Sequence, residues 1–354
     1  METSEIEKYT GYADMSIVEA MSKIDLTGAG ILFIISESKQ LIGSLTDGDI
    51  RRWLINTGNL QINVENIMHK DPHYIFVSEA EEARQKLASG HDRALPIVDQ
   101  AHRIVSIMFN NCSDEIINDH ISNVLENIPV VIMAGGVGSR LLPYTSILPK
   151  PLIPVGEKPV LERIIEQFCK YGCREFYLVL NYRKNMIKAY FNEIDHTYKI
   201  HYIDEEEPLG TGGGLFLLKD TLKSTFILSN CDILIREDFS DILHFHEANA
   251  NGVSMISSLK TFHIPYGVIH TTSQGVIEKM EEKPSAYYMV NTGCYMIQPD
   301  FLNMFEEKKR LEMPEIIEQY CHSGKKVGVY PISETAWLDM GQPEELERMK
   351  KFFE

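Results

Sequence analysis

A run of glycines and basic residues between positions 135 and 150 has the composition of an anion-binding loop. Gly135, Gly136 and Gly138 directly follow the apolar run PVVIMA, and glycines there let backbone N–H groups approach an anion without a side-chain clash. Arg140 can grip two phosphate oxygens at once, whereas Lys150 supplies a compact point charge. The spacing therefore predicts that a phosphate-bearing substrate binds at this loop.

Two common phosphate-binding motifs are absent from this loop. It contains neither the Gly-x-Gly-x-x-Gly pattern of dinucleotide-binding folds nor the Gly-Lys-Ser/Thr pattern of Walker-type loops. Prolines at positions 143, 149, 151 and 154 prevent a continuous helix and stiffen the segment that carries Lys150. We therefore expect a rigid loop of a different kind.

Composition restricts the class of protein. The chain has 354 residues, of which 44% are hydrophobic, and a formal net charge of −17. An acidic protein gains nothing from counterion release, so we expect no nucleic-acid partner. The N-terminus is acidic and polar, so we expect no signal peptide. The sequence has no apolar run long enough for a membrane span, so we expect no membrane segment. Six cysteines without a Cys-x-x-Cys pair fit a reducing cytoplasm.

The elements that must position the loop fall into two parts, predicted as domains 1–122 and 129–354. In the first part, the order helix, strand, turn, strand occurs twice, about 65 residues apart, which is typical of a repeat that packs against its own copy. The predicted helices are 16–24, 49–56 and 79–89, and the predicted strands are 30–36, 40–45, 94–98 and 104–109.

The second part alternates strands with helices. Strands are predicted at 130–134, 176–180, 226–228 and 253–259, and residues 160–168 carry one apolar helical face. This alternation predicts an α/β fold whose mostly parallel sheet is covered on both faces, with ligands beyond the carboxyl ends of the strands.

The string from Ala134 to Glu162 resembles the signature of the sugar-1-phosphate nucleotidyltransferases, AGGxGSRLxPxTxxxPKPLxPVGxKPxLE. This resemblance implies a Rossmann-like mixed sheet and an enzyme that joins a nucleoside triphosphate to a sugar 1-phosphate and releases pyrophosphate. It implies that Arg140 and Lys150 are catalytic, and that the nucleotide is bound by Ala134, Gly135, Gly136, Gly138 and Ser139.

Later segments resemble the same family, in the same order. Asp232 in LSNCDIL and Asp339 in WLDMGQPEEL match its metal-binding aspartates, which implies Mg²⁺, a cation that suits carboxylate oxygens. Asn230 and Cys231 stand where many members have a glycine before the first aspartate. The other matches are Gly210 and Thr211 for the nucleotide, Glu282, Asn291 and Gly293 for the sugar, and Lys283 as a catalytic residue that meets the sugar phosphate.

The first part resembles the paired repeats called CBS domains, an α+β pair, on the strings LIGSLTDGDIRRWL and RALPIVDQAHRIVSIMF. The resemblance implies that Thr46 and Asp49 hold an adenine nucleotide as a regulatory ligand. The alternative is that both residues simply cap the following helix. The second unit has no threonine or aspartate at matching places, so we expect at most one such site.

The choice of substrates stays open at this point. The motif most resembles family members that use GTP with mannose- or glucosamine-type sugar 1-phosphates. Together with CBS repeats, it resembles bacterial enzymes that supply activated amino sugars for legionaminic-acid-type glycans, which implies GTP with glucosamine 1-phosphate. The alternatives are UTP or dTTP with glucose 1-phosphate, and an inactive, CBS-regulated nucleotide-binding scaffold. The resemblance also implies a homo-oligomer, and we expect backbone contacts to recognise the base.

Overall fold

A computed structural model of the chain describes residues 3–79, 87, 94–109 and 123–353. The helices in this part of the chain are α1 Thr3–Ile6, α2 Ile17–Thr27, α3 Asp47–Thr57, α4 Val160–Lys170, α5 Lys184–Glu193, α6 Phe239–Ala248, α7 Met313–His322 and α8 Pro343–Phe353. The strands are β1 Thr10–Tyr12, β2 Ile31–Ile35, β3 Leu41–Thr46, β4 Ile75–Phe76, β5 Ala94–Val98, β6 Ile104–Phe109, β7 Val130–Met133, β8 Pro154–Val155, β9 Lys158–Pro159, β10 Glu175–Leu180, β11 Lys199–Asp204, β12 Phe226–Asn230, β13 Ile233–Ile235, β14 Val253–His263, β15 Val268–Thr271, β16 Ile277–Glu281, β17 Ser285–Ile297, β18 Val327–Ile332 and β19 Trp337–Asp339.

The described residues group into two units that interrupt each other along the sequence. The N-terminal unit contains the residues up to Phe109 together with Leu259–Met289 and Ser333–Thr335. The C-terminal unit contains the described residues from Asn123 to Ser258, then Val290–Ile332 and the chain from Ala336 onwards. Two segments that follow residue 129 in sequence therefore belong to the N-terminal unit.

The N-terminal unit contains two three-stranded sheets with the same pairing. In the order β1-β2-β3 the first pair is parallel and the second antiparallel, and β4-β5-β6 repeats this arrangement. The strands predicted at 30–36, 40–45, 94–98 and 104–109 are confirmed as β2, β3, β5 and β6. The helix predicted at 79–89 lies largely outside the described residues.

Helices α2 and α3 begin with the same kind of N-terminal cap, a capping box. The Ser16 hydroxyl accepts a hydrogen bond from the Glu19 N–H, and the Glu19 carboxylate accepts one from the Ser16 N–H. Thr46 and Asp49 form the equivalent capping box at α3. Such boxes satisfy backbone donors that the first helical turn leaves unpaired.

The C-terminal unit is built on a mixed sheet with the strand order β11-β10-β7-β12-β17-β14-β18 among the described residues. Strands β11, β10, β7 and β12 run parallel, and β17 runs antiparallel to β12. The predicted mixed, mostly parallel α/β sheet is therefore confirmed. Because the four neighbouring strands are parallel, the loops that follow them meet at one edge of the sheet.

Helix α4 shows why the second half of the 134–162 string is structural. Its apolar face, Val160, Leu161, Ile164, Ile165 and Phe168, is buried as predicted. The Glu162 carboxylate on this helix is also buried, and the Lys158 ammonium lies 3.0 Å from it. This buried face anchors the helix, which contacts β9, β13 and the turn that carries Lys150, and so fixes the end of the loop that precedes it.

None of the described helices combines the length and the apolar character that a membrane crossing requires.

Candidate functional site

A cavity of about 810 Å³ opens in the C-terminal unit where the parallel strands end. Pockets of roughly 300–1,000 Å³ hold small organic ligands in most proteins. Its walls come from the loop after β7, the residues that follow β12, and the segments around positions 210, 292, 312 and 339. The cavity thus lies where a parallel sheet is expected to bind a ligand.

The glycine-rich loop forms one wall of this cavity. Gly138 has φ +71°, a left-handed conformation that side chains disfavour. A Cβ atom built on Gly138 would lie 2.9 Å from Thr145 Cγ2 and 3.1 Å from Lys150 Cβ. The Thr145 hydroxyl donates a hydrogen bond of 2.9 Å to the Gly138 carbonyl. The missing side chain at this glycine therefore lets the loop fold back on itself and bring Lys150 to the cavity.

Lys150 and Asp232 meet at the cavity wall, although 82 positions separate them in sequence. The Lys150 ammonium donates a hydrogen bond to the Asp232 carboxylate, and each side chain is only 16% exposed. The lysine predicted to bind a phosphate and the aspartate predicted to bind a metal are thus in direct contact. A charged pair of this kind, shielded from water, exerts a stronger field than an exposed one.

Asp339 is held beside Asp232 by backbone pairing. Strands β13 and β19 run antiparallel with Ile233 opposite Asp339, and the Met340 N–H donates to the Asp232 carbonyl at 2.8 Å. The Gly341 N–H donates to Asp339 Oδ1 at 2.8 Å. Burial, and then the negative charge of Asp232, raise the pKa of the Asp339 carboxyl above its usual value.

This pair of carboxylates fits a magnesium ion. Mg²⁺ usually binds one or two protein carboxylates and takes its remaining ligands from water and substrate oxygens. Because the charge of Asp232 raises the pKa of Asp339, a divalent cation placed between the two carboxylates would reduce their repulsion. Within the described ranges no cluster of three or more histidine, cysteine, aspartate or glutamate side chains could hold a metal by itself.

The wall around position 211 is fixed by a glutamate from a distant segment. The Thr211 N–H and hydroxyl donate to Glu312 Oε2 at 3.1 and 2.8 Å. Gly210 has φ +81°, and a Cβ atom there would lie 2.5 Å from the Leu311 carbonyl oxygen. Gly210 and Thr211 therefore lie where the chain passes close to the segment that leads into α7.

Asn291 and Gly293 on β17 form a further part of the cavity lining. The Asn291 amide donates to the Tyr295 hydroxyl at 2.6 Å, and its carbonyl oxygen accepts from the Gly293 N–H at 3.0 Å. A Cβ atom on Gly293, which has φ +84°, would lie 2.2 Å from Asn230 Nδ2. The amide of Asn291 is thereby held rigidly at the cavity.

Most of the residues predicted for the catalytic site lie in this cavity. The lining includes Gly135, Gly136, Gly138, Ser139, Arg140, Lys150, Gly210, Thr211, Asp232, Asn291, Gly293 and Asp339. Ala134 is buried at the end of the sheet and is not part of the lining. Glu282 and Lys283 lie in the segment Leu259–Met289, which belongs to the N-terminal unit, and are not part of the lining either.

The two residues predicted to hold a regulatory nucleotide form a helix cap. Thr46 and Asp49 form the capping box of α3, and Asp49 also pairs with Arg52. Both side chains are thus engaged by near neighbours in sequence. The binding of an adenine nucleotide there stays a prediction.

Several cavity residues escaped the sequence analysis. Glu205, Asn230, Arg310 and Glu312 line the cavity, and Glu205 is only 4% exposed. Glu205 begins the run Glu205–Glu206–Glu207, which in sequence suggests a solvated acidic loop. The only signal in the sequence was its position shortly before the motif that contains Gly210.

Comparison with known proteins agrees with the fold and the motif. Residues 129–354 match the nucleotidyl transferase family. Over 225 residues the chain is 30% identical to a mannose-1-phosphate guanyltransferase of Schizosaccharomyces pombe, an alignment that covers 61% of this chain and 61% of that protein. It is 31% identical over 222 residues to the bifunctional protein GlmU of Methanococcus maripaludis, covering 60% of this chain and 51% of that protein.

A solved structure shows the same fold. HddC from Yersinia pseudotuberculosis superimposes with a TM-score of 0.51 at 22% sequence identity, covering 64% of this chain and 100% of that one. These two relatives are matched over only 61% and 51% of their own lengths. The family match covers residues 129–354 of this chain. By that match, the chain belongs to the nucleotidyl transferase family.

Proposed function

We propose that this chain transfers a guanylyl group from GTP to a hexose 1-phosphate of the mannose or glucosamine type, giving a GDP-sugar and pyrophosphate. The observation that carries the proposal is the convergence of Lys150, Asp232 and Asp339 on one cavity whose other wall is the glycine-rich loop. Two polyanions can react only where their charges are neutralised, and this arrangement supplies that environment.

The reaction needs positioning more than acid–base chemistry. A sugar 1-phosphate has a second pKa near 6, so its phosphate is already ionised at neutral pH. One of its oxygens forms a bond to the α-phosphorus of GTP, and the bond from that phosphorus to the β-phosphate oxygen breaks in line, releasing pyrophosphate. The barrier lies in bringing the anions together, so the protein acts by orientation and charge stabilisation.

Each cavity residue then has a distinct role in the proposal. The backbone from Gly135 to Gly138 and the Arg140 guanidinium hold the β- and γ-phosphates. Lys150 stabilises the α-phosphate, where negative charge develops. When bound by Asp232 and Asp339, Mg²⁺ supplies positive charge to the phosphate oxygens.

The sugar side of the proposal rests on two residues of β17. Asn291 and Gly293 line the cavity and are available for sugar hydroxyls. Glu282 and Lys283 keep their predicted roles for the sugar and its phosphate only as a proposal. The similarity to the mannose-1-phosphate guanyltransferase of S. pombe favours mannose 1-phosphate, and the resemblance to amino-sugar enzymes favours glucosamine 1-phosphate.

A grid of substrates tests the proposal directly. The full chain is incubated with Mg²⁺, each of five nucleoside triphosphates, and mannose, glucosamine or glucose 1-phosphate, and released pyrophosphate is measured with a coupled assay. We expect release only when GTP is combined with mannose or glucosamine 1-phosphate. Release with UTP or dTTP and glucose 1-phosphate would replace the proposed substrates, and no release from any pair would favour the inactive scaffold.

A further inference from the structure

The turn between β10 and α5 contacts the phosphate-binding loop at two places. The Tyr182 N–H donates to the Gly135 carbonyl at 3.3 Å. The Arg183 guanidinium donates from Nη2 to the Ser146 carbonyl at 2.8 Å and from Nη1 to the Ile147 carbonyl at 2.7 Å. One short turn therefore holds both the start of the loop and a segment further along it.

The Arg183 side chain is oriented by the turn that carries it. Its Nε donates to the Tyr182 hydroxyl at 2.8 Å. Nη1 and Nη2 then face two consecutive carbonyls, those of Ser146 and Ile147. A guanidinium presents its donors in a rigid planar fork and can hold two acceptors at a fixed spacing, whereas a lysine ammonium is a single point of contact. We call the contacts of Arg183 with these two carbonyls the Arg183 clamp.

The clamped segment has little apolar packing to hold it. Leu142 and Ile147 are 58% and 71% exposed. Lys150 follows Ile147 by only three positions, in a stretch that contains Pro149. Its ammonium reaches Asp232 at the cavity. Because this stretch is short and stiffened by proline, a displacement of the clamped carbonyls is transmitted to Lys150.

Arg183 adopts a backbone conformation that favours glycine. Its φ of +49° and ψ of +32° lie in the left-handed region. A residue with a Cβ atom is disfavoured there, and strained residues of this kind concentrate at functional sites. Glycine at this position would relieve the strain but would lose the guanidinium. The strain is therefore compensated by what the side chain contacts.

We propose that Arg183 is a positioning residue, which acts on the reaction through Lys150 by holding the loop that brings the Lys150 ammonium to the α-phosphate. This inference rests on the proposed function, because Lys150 is the group on which Arg183 acts. Arg183 is not part of the cavity lining, so its effect on the reaction is indirect.

The first test compares two variants that both remove the clamp. Arg183→Ala keeps the strained backbone and Arg183→Gly relieves it, so Arg183→Gly should have the higher midpoint of chemical denaturation. We expect both variants to lose the same factor in kcat, roughly 10- to 100-fold, because a misplaced catalytic group has effects of this size. If kcat follows stability instead, with Arg183→Gly close to the wild type, the role is merely structural and the inference is wrong.

Arg174 provides the matched control. Its Nη1 also donates to two backbone carbonyls, those of Cys169 and Cys173, at 2.9 Å each. Arg174 precedes β10 and so lies at the amino end of that strand, whereas the cavity opens at the carboxyl ends. Arg174→Ala therefore removes the same kind of contact from the same unit, and it should keep the wild-type kcat.

A double-mutant cycle tests the route through Lys150. In the Lys150→Ala background the group that the clamp positions is missing. Adding Arg183→Gly to this background should therefore lower kcat further by less than about twofold. If the two changes multiply as independent effects, Arg183 does not act through Lys150 and the inference is overturned.

Hydrogen–deuterium exchange of the loop separates the inference from the proposed function. The amides between positions 144 and 148 should exchange faster in both Arg183 variants than in the wild type, and Arg174→Ala should leave them unchanged. If no pair of substrates releases pyrophosphate, the proposed activity fails, yet faster exchange still supports Arg183 as the residue that holds the loop. Unchanged exchange would reject the clamp in either case. If pyrophosphate is released and kcat is unaltered in both Arg183 variants, the activity stands and the inference is wrong. If Arg183→Ala does not fold, Arg183→Gly and the double-mutant cycle decide.

Discussion

The helix cap of the N-terminal unit and the cavity of the C-terminal unit use similar residue types in opposite ways. Thr46 and Asp49 satisfy each other's backbone and side-chain groups across three positions of sequence. In the cavity, Lys150 reaches Asp232 across 82 positions, and Thr211 reaches Glu312 across 101. Glu205 Oε1 has no partner at all within the described ranges.

This difference separates structural polar groups from functional ones. A polar pair that closes within one helical turn stabilises that turn and requires no ligand. Polar groups that converge from distant segments are held by the whole fold, and their remaining hydrogen-bonding capacity faces the cavity. Such groups are the better candidates for binding and catalysis, since the fold brings them to one place although they lie far apart in sequence.

The largest effect is expected from removing the cavity cation. Lys150→Ala should lower kcat by about 10²-fold or more, because a charge contact that acts in the transition state is lost. Lys158→Ala is the matched control, since Lys158 belongs to the same motif but pairs with Glu162 and Glu166. Steady-state kinetics on both variants make the comparison, and wild-type turnover in Lys150→Ala would exclude this lysine from the mechanism.

A smaller effect is expected at the predicted metal site. Asp232→Asn should raise the Mg²⁺ concentration needed for half-maximal activity by roughly tenfold or more, because a neutral amide binds a hard cation less well than a carboxylate. The exposed Glu307, which pairs with Lys309, provides the control variant Glu307→Gln. A magnesium titration that is identical in wild type and Asp232→Asn would reject this ligand.

The N-terminal cap should respond in stability. Thr46→Ala should lower the free energy of unfolding by about 1 kcal/mol, the usual consequence of losing a capping side chain. Chemical denaturation of Thr46→Ala and of Ser16→Ala, the equivalent change at α2, should give similar values. An adenine nucleotide that raises the melting temperature of the wild type but not of Thr46→Ala would show that this pair does more than cap a helix.

The smallest effect is expected from a buried histidine away from the cavity. His246 is fully buried, its Nδ1 lies 2.9 Å from the Ser254 hydroxyl, and the Gln298 amide donates to its Nε2 at 3.0 Å. Burial lowers the pKa of His246 to about 4. Its contribution to stability is complete above the unfolded pKa of about 6.5 and is lost as the pH falls towards 4.

Denaturation curves at two pH values measure this effect. Between pH 7 and pH 6 the free energy of unfolding should fall by less than about 1 kcal/mol because of His246. The variant His246→Gln cannot be protonated in this range, so the difference in pH dependence between wild type and variant isolates the contribution of this residue. A wild type and variant with parallel pH profiles would contradict the assignment.

Much of the fold could be predicted because its signals are local. Strands β5 and β6 begin and end where the apolar runs predict, and α2 begins after the serine that caps it. The apolar residues of α4 recur with helical periodicity because one face of the helix is buried. The Gly135–Lys150 loop was predictable because its glycines, prolines and basic residues lie close together in sequence.

The remainder depended on contacts that no local pattern records. Glu205 resembles its two exposed neighbours in sequence, and only the fold distinguishes the buried one. The grouping of Leu259–Met289, with Glu282 and Lys283, into the N-terminal unit was also invisible, because strands β14 and β17 continue past the point where the units divide. The sequence gives the order of the motifs along the chain. It does not show which motifs come into contact in the folded protein.

The pairing of β13 with β19 has a consequence for the order of folding. It places Ile233 opposite Asp339, two residues that lie far apart in sequence. Contacts of large sequence separation close long loops, and this entropic cost makes them slow to form. We therefore expect the two aspartates to come together late in folding, after the local turns and helices that surround them.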